Sequence, residues 1–183
     1  MPPGWRPATE LAAFRGPVLG RSMLGFGSTP ALLAKKGVAA PRCWSDLPLP
    51  AYRKEVELSN PVTSGTGYTI LATLVTLYGE DGAFAFLKRL APNVTRYTAS
   101  GTAQGPSVAR GAVAVGVSFV HEFVPQQLAG FTVSIAIPCE GTVAALRGMA
   151  LLAGAPHPDE ARVFLAWVLT RCAQAWAART RTL

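Results

Sequence analysis

The sequence predicts an α/β fold of three layers, a mostly parallel sheet with helices on both faces. Three observations lead there. Strand-like and helix-like stretches alternate from Ser22 onward, and the run Val113 to Val120 is apolar without alternation, the mark of a strand buried on both faces. The third is that Val56-Glu57-Leu58 passes through Asn60-Pro-Val-Thr-Ser-Gly-Thr-Gly-Tyr68 straight into an apolar helical pattern. In such sheets ligands gather beyond the carboxyl ends of the strands.

The elements follow in order. Residues 1 to 20 show no periodicity and read as an irregular arm. Met23 to Phe26 suggests a short strand and Thr29 to Lys36 a helix closed by Gly37; Pro41 to Pro50 reads as a loop or short helix around Trp44, capped by Ser45. Glu55 to Leu58 is a strand. Ile70, Leu71, Leu74, Val75 and Leu77 fall at helical spacing up to Tyr78, and a second helix from Gly79 carries Phe84, Phe86, Leu87 and Leu90. Val94 to Thr98 then reads as a strand, Thr102 to Arg110 as a helix, and Phe123 to Leu128 as a helix following the Val113 strand. Thr132 to Ile137 is a further strand, and Pro158 to Ala178 one long helix opened by acidic Asp159 and Glu160.

Composition limits the function. The chain has 183 residues, 50% of them hydrophobic and 15% charged, enough to bury one core. A net charge of +7 raises the question of nucleic acid, but the basic residues are scattered singly apart from Lys35-Lys36 and Arg179-Thr-Arg181, without interleaved aromatics, so no nucleic-acid partner is expected. Three cysteines, Cys43, Cys139 and Cys172, are too few for a metal knuckle or a disulfide scaffold, and an odd count leaves at least one free. The first twenty residues carry four prolines and Glu10 and show no signal peptide, and the longest unbroken apolar runs fall below the ~20 residues of a membrane span.

Chemistry concentrates at three strand ends: Thr63, Ser64, Gly65 and Thr66; His121 and Glu122; and Glu140 and Gly141. The first reads as an anion cradle. A strand turning through hydroxyls and glycines into a helix leaves unpaired N–H groups at the positive end of the helix dipole. An imidazole and two carboxylates would bond a hydroxylated or amine-bearing remainder of the solute. Each has a plainer reading: Ser64 and Thr66 as helix caps, His121 as a surface histidine, Glu140 as a partner of Arg147, Trp44 as packing. For the cradle the glycines bring the two readings level.

The order Pro41-Arg-Cys-Trp44-Ser-Asp46-Leu47, Val56-Glu-Leu-Ser-Asn60-Pro61, Ser64-Gly-Thr66-Gly-Tyr68, Gly116-Val-Ser-Phe119-Val-His121-Glu122 and Pro138-Cys-Glu140-Gly141-Thr142 resembles periplasmic solute-binding proteins of ABC importers. The branch it is most similar to holds ferric-iron, aminoethylphosphonate and hexose-phosphate binders. The resemblance runs from about Ser22 to about Trp176 and implies one lobe of a type II periplasmic-binding fold, with most of the first lobe and the C-terminus missing. It divides the chain into an arm (1–21), a crossover and opening segment (22–59), an α/β solute-binding lobe (54–140), and a return crossover with the long helix (141–183). Carried over by position, it implies that Ser64 and Thr66 bind the anionic group while His121, Glu122 and Glu140 reach the rest of the solute. The hexose-phosphate binders place Asp where this chain has Glu122. The ferric binders use adjacent tyrosines where it has His121-Glu122, and hard Fe(III) favours phenolate oxygen.

The expectation is therefore a periplasmic solute-binding component, or its surviving lobe, that takes a small anionic solute such as a sugar phosphate or phosphonate and delivers it to an ABC importer permease. It needs no cofactor and performs no catalysis. Alternatives are an Fe(III) binder, and a non-binding remnant that forms a homo-oligomer through its exposed cleft face. A hydrolase using His121 as general base lacks a nucleophile elbow or phosphate-loop lysine.

Overall fold

The computed structural model describes residues 18–180. The arm expected over 1–21 lies outside the described residues up to 17, whereas 18–21 already belong to strand β1 (Val18–Ser28), which is longer than the short strand expected. The chain forms two compact units, one of Ser22–Ala145 and one whose described residues are 18–21 and 146–180.

In the larger unit α1 (Pro30–Lys35) ends just before Gly37, whose φ of 65° closes it as expected. Next come β2 (Val56–Ser59), α2 (Gly65–Leu90), β3 (Val94–Thr98), α3 (Gln104–Ala109), β4 (Val115–Phe119), α4 (Val124–Leu128), β5 (Ser134–Ala136) and β6 (Ala144–Gly148). The sheet order is β3-β2-β4-β1-β5. It is mixed: β2 runs parallel to β3 and β4, as expected, while β1 is antiparallel to β4 and β5. The parallel part places the carboxyl ends of β2, β3 and β4 along one edge.

Strand β4 is buried at Val115, Gly116, Val117 and Ser118, so its apolar run reflects cover on both faces. On one face Leu24, Phe26, Trp44, Leu58, Ile70, Leu74, Phe86 and Val117 form the main core. Trp44 and Phe26 meet edge to face at 5.0 Å, so Trp44 is a packing residue. The other face is covered by α3 and Phe123, in a smaller cluster with Val108, Val113 and Val133.

Helix α2 is two helices in one. Gly79 sits at φ 73° and ψ 171°, a conformation essentially reserved to glycine, so the helical hydrogen bonding breaks at the position the sequence indicated. The stretch Gly65–Asn93 has the length and hydropathy of a membrane span, which the search for unbroken apolar runs overlooked. The break at Gly79 and the packing of Ile70, Leu74 and Phe86 in the core mark it as a core helix pair.

Two local expectations change. The turn at Trp44–Asp46 is capped by Cys43, with Asp46 accepting from the Arg42 and Cys43 N–H groups, and not by Ser45. In the smaller unit the long helix expected from Pro158 to Ala178 is α5 (Pro158–Val168) and α6 (Arg171–Thr180). Thr170 causes the break: its hydroxyl accepts from Ala173 N at 3.3 Å and begins a new helix.

Candidate functional site

Strand β2 ends in Ser59, and Asn60 turns the chain. Asn60 O accepts from Ser64 N at 2.9 Å, and Asn60 Oδ1 accepts from Val62 N at 2.9 Å, a local Asx turn. Gly67 lets the first turn of α2 lie against this corner, because a Cβ there would stand 2.6 Å from Ser59 O. Ser64 is the N-cap, its Oγ accepting from Gly67 N at 3.4 Å. Ser64 thus caps the helix, the plainer of the two readings of this residue.

Several donors of this corner are unused. Among the described residues the N–H groups of Gly65 and Thr66 and the hydroxyl of Thr66 have no partner, and the proton of the buried Ser64 hydroxyl has no acceptor. Thr63 differs: its hydroxyl donates to Ala99 O at 3.2 Å and ties the corner to the next strand end.

A second hydroxyl loop, which the sequence reading passed over, stands beside the first. After β3, Thr98 Oγ1 lies 2.8 Å from Ser100 O, and the hydroxyls of Ser100 and Thr102 lie 3.0 Å apart. Gly101 joins this loop to the cradle, since a Cβ on it would fall 2.0 Å from Thr66 Oγ1. Beneath it Gln104 is fully buried; its amide nitrogen donates to Gly101 O at 2.7 Å while its oxygen accepts from Thr98 Oγ1 and Ser59 Oγ. Ser118 Oγ also donates to Gly101 O at 2.7 Å. The ends of β2, β3 and β4 are thereby tied by one buried polar network. The available signal was the spacing Thr98, Ser100, Thr102 directly after a strand.

His121 and Glu122 follow β4 as expected. His121 Nε2 stands 3.1 Å from Glu122 Oε1, the ring stacks on Phe119 at 5.6 Å, and Nδ1 is buried with no partner among the described residues. A Cβ on Gly105, in the first turn of α3, would lie 2.3 Å from the backbone O of Glu122, so the segment that meets Thr66 at Gly101 meets the Glu122 backbone four residues later. Four residues span at most about 14 Å, so the Glu122 backbone lies within that reach of the Gly101–Thr66 contact.

Glu140 and Gly141 have other partners. The Glu140 carboxylate accepts from Trp44 N at 2.7 Å and Ser45 N at 2.9 Å, and Gly141 O accepts from Trp44 Nε1 at 3.0 Å. Burial pushes the Glu140 carboxyl up, but the N–H donors of Ser45 and Trp44 outweigh it and leave the group below its ordinary value. Burial and the nearby Glu140 charge raise the pKa of the Tyr78 hydroxyl. Tyr78 is thirteen residues along α2 from Gly65, about 20 Å of helix axis. Glu140 and Gly141 are thus engaged at the Trp44 turn, away from the cradle corner.

Cys43 and Cys139 are joined by a disulfide at this same clamp, where Cys139 N also donates to Arg42 O at 2.9 Å. Cys172 is the free, exposed cysteine that the odd count required. The pairing bears on compartment, because such bonds persist in oxidising surroundings.

Comparison with known proteins agrees with this architecture. Residues 27–182 match the family described as bacterial extracellular solute-binding protein. An uncharacterised protein of Haemophilus influenzae is 43% identical over 157 residues, which are 84% of this chain and 45% of that one. The periplasmic binding protein AfuA of Actinobacillus pleuropneumoniae, solved with fructose-6-phosphate bound, superposes with a TM-score of 0.82 at 36% identity, over 88% of this chain and 51% of AfuA. The periplasmic binding protein P5PA gives 0.79 at 36% identity, over 87% and 50%. The chain spans about half the length of the relatives it matches. With a family match over residues 27–182, the chain belongs to the bacterial extracellular solute-binding proteins.

Proposed function

We propose that the chain is a solute-binding lobe of an ABC import system that takes a small anionic solute, a sugar phosphate or phosphonate, at the N-terminus of α2. The carrying observation is the set of unused donors at Ser64, Gly65 and Thr66 on one helix N-terminus. An oxyanion would accept from all of them and would be favoured by the dipole of the helix. His121 and Glu122, next along the same edge, suit the hydroxyls of a sugar; Thr63 ties the corner to the next strand end, while Glu140 and Gly141 serve the Trp44 turn and not the solute. The likeness to AfuA, solved with fructose-6-phosphate bound, points to the same solute class. The Cys43–Cys139 bond supports a periplasmic location, and an importer permease is the partner that the family role implies.

Fe(III) is the less favoured solute. The described site offers an imidazole and a carboxylate but no tyrosine pair, and hard Fe(III) prefers phenolate oxygen.

A thermal-shift panel of inorganic phosphate, fructose 6-phosphate, a phosphonate, neutral fructose and Fe(III) citrate tests the reading. At a hundredfold excess over Kd, a ligand of the native state adds about 2.7 kcal/mol of stability. Stabilisation by the phosphorylated sugar and not by fructose is expected; stabilisation by iron alone would replace the reading with the ferric one.

A further inference from the structure

We infer that Gly101 is the positioning residue of the anion site, a place in the chain where the absence of a side chain sets the geometry of Thr66. This rests on the proposed reading of the cradle and names what holds it in shape. The three atoms nearest to a Cβ on Gly101 all belong to Thr66: Oγ1 at 2.0 Å, Cβ at 2.4 Å and Cγ2 at 3.0 Å. A rotation of the Thr66 side chain would relieve the first and third contacts but not the second, because Cβ moves only with the backbone. An alanine at 101 therefore shifts either the first turn of α2 or the β3–α3 loop.

The loop is the less free to move. Gly101 O accepts from the fully buried Ser118 Oγ at 2.7 Å and from the amide of fully buried Gln104 at 2.7 Å. Gln104 in turn holds Ser59 and Thr98, the last residues of β2 and β3. Displacing Gly101 would break bonds among buried polar groups, whereas the first turn of a helix yields at lower cost. The displaced atoms would be the Thr66 hydroxyl and the neighbouring N–H groups, the unused donors of the cradle. Gly101 also has no left-handed φ, so its backbone accepts alanine and the effect comes from the contact with Thr66.

The contact has a second consequence. It brings the hydroxyl loop of Ser100 and Thr102 beside the cradle, so a bound oxyanion would meet two chain segments. Selectivity between a compact phosphate and a larger anion then depends on their separation, which Gly101 fixes.

A double-mutant cycle over Gly101→Ala, Thr66→Gly and the pair, read as the Kd for fructose 6-phosphate by titration calorimetry, tests this. If Gly101 acts through Thr66, Gly101→Ala weakens binding at least tenfold in the wild-type background and less than twofold in the Thr66→Gly background, where the colliding atoms are gone. An equal loss in both backgrounds, or none in either, overturns the inference while leaving the cradle standing. Absence of binding by the wild-type chain overturns the cradle reading and this inference with it. Should Gly101→Ala fail to fold, Ser118→Ala serves instead: it frees the Gly101 carbonyl from one of its two donors and is expected to weaken binding several-fold, and an unchanged Kd overturns the inference.

Discussion

Arg96 on β3 donates through Nε to Oε2 of Glu57 on β2 at 2.5 Å, and the same guanidinium reaches Ser107 Oγ on α3 at 2.9 Å. Glu57 is wholly buried, and its Oε1 has no partner among the described residues, while the Arg96 side chain is 54% exposed. The pair thus anchors α3, and with it the loop that carries Gly101, to the floor of the sheet.

The asymmetry of exposure predicts an asymmetric response. Arg96→Ala strands a buried carboxylate and is expected to cost about 3 kcal/mol. Glu57→Leu releases Arg96 to solvent and is expected to cost less than half of that. Urea denaturation midpoints at pH 7 compare the two; equal losses would show that the pair acts by packing and not by charge.

The disulfide closes a loop with a sequence separation of 96 residues. The chain-entropy account assigns about 4.7 kcal/mol to a loop of that size, and measured bonds commonly return about 2–4. Cys43→Ser with Cys139→Ser should lower the unfolding free energy within that range, and added dithiothreitol should reproduce the loss in the wild-type chain while leaving the double variant unchanged.

Acid should loosen the Trp44 clamp. The folded-state pKa of Glu140 lies below the ordinary value of 4.5, so its ionised form is favoured by folding. Its contribution is complete above pH 4.5 and is lost as pH falls through the folded pKa. Melting temperature measured between pH 7 and pH 3 should therefore fall less steeply in Glu140→Gln than in the wild-type chain, from a lower starting point at pH 7. Parallel curves would contradict the assignment of the clamp to this carboxylate.

Gly79→Ala places a Cβ at φ 73° and ψ 171°, where about 1–3 kcal/mol of strain is expected. Space is not the obstacle, for nothing lies within 4 Å of that Cβ. Circular dichroism melts of Gly79→Ala beside Gly65→Ala, a site with equally open space and ordinary φ, separate backbone strain from crowding.

Much of this architecture can be read from local patterns. The apolar run at Val115 to Ser118, the helix break at Gly79 and the cap at Ser64 each follow from period, punctuation or capping chemistry within a few residues. What could not be read depends on distant pairs. Glu140 bonds the turn at Trp44 across a separation of 96 residues, and Cys43 meets Cys139 over the same span, so no spacing rule announces either. The antiparallel setting of β1 against β4 is likewise a matter of topology, since an apolar strand reads alike in both directions. At the site the same division holds: Ser64 and Thr66 stand in one motif, whereas Gly101 becomes part of it only because β3 lies beside β2.

The most direct test of the anion cradle is titration calorimetry of fructose 6-phosphate into the wild-type chain and into Ser64→Ala/Thr66→Ala. Charged-group hydrogen bonds are worth about 1.5–3 kcal/mol each, so losing two should weaken binding by at least a hundredfold. Saturable binding by the wild-type chain, displaced by inorganic phosphate and absent from the double variant, is the result predicted. Equal Kd values for the two proteins, or an equal affinity for neutral fructose, would contradict the account.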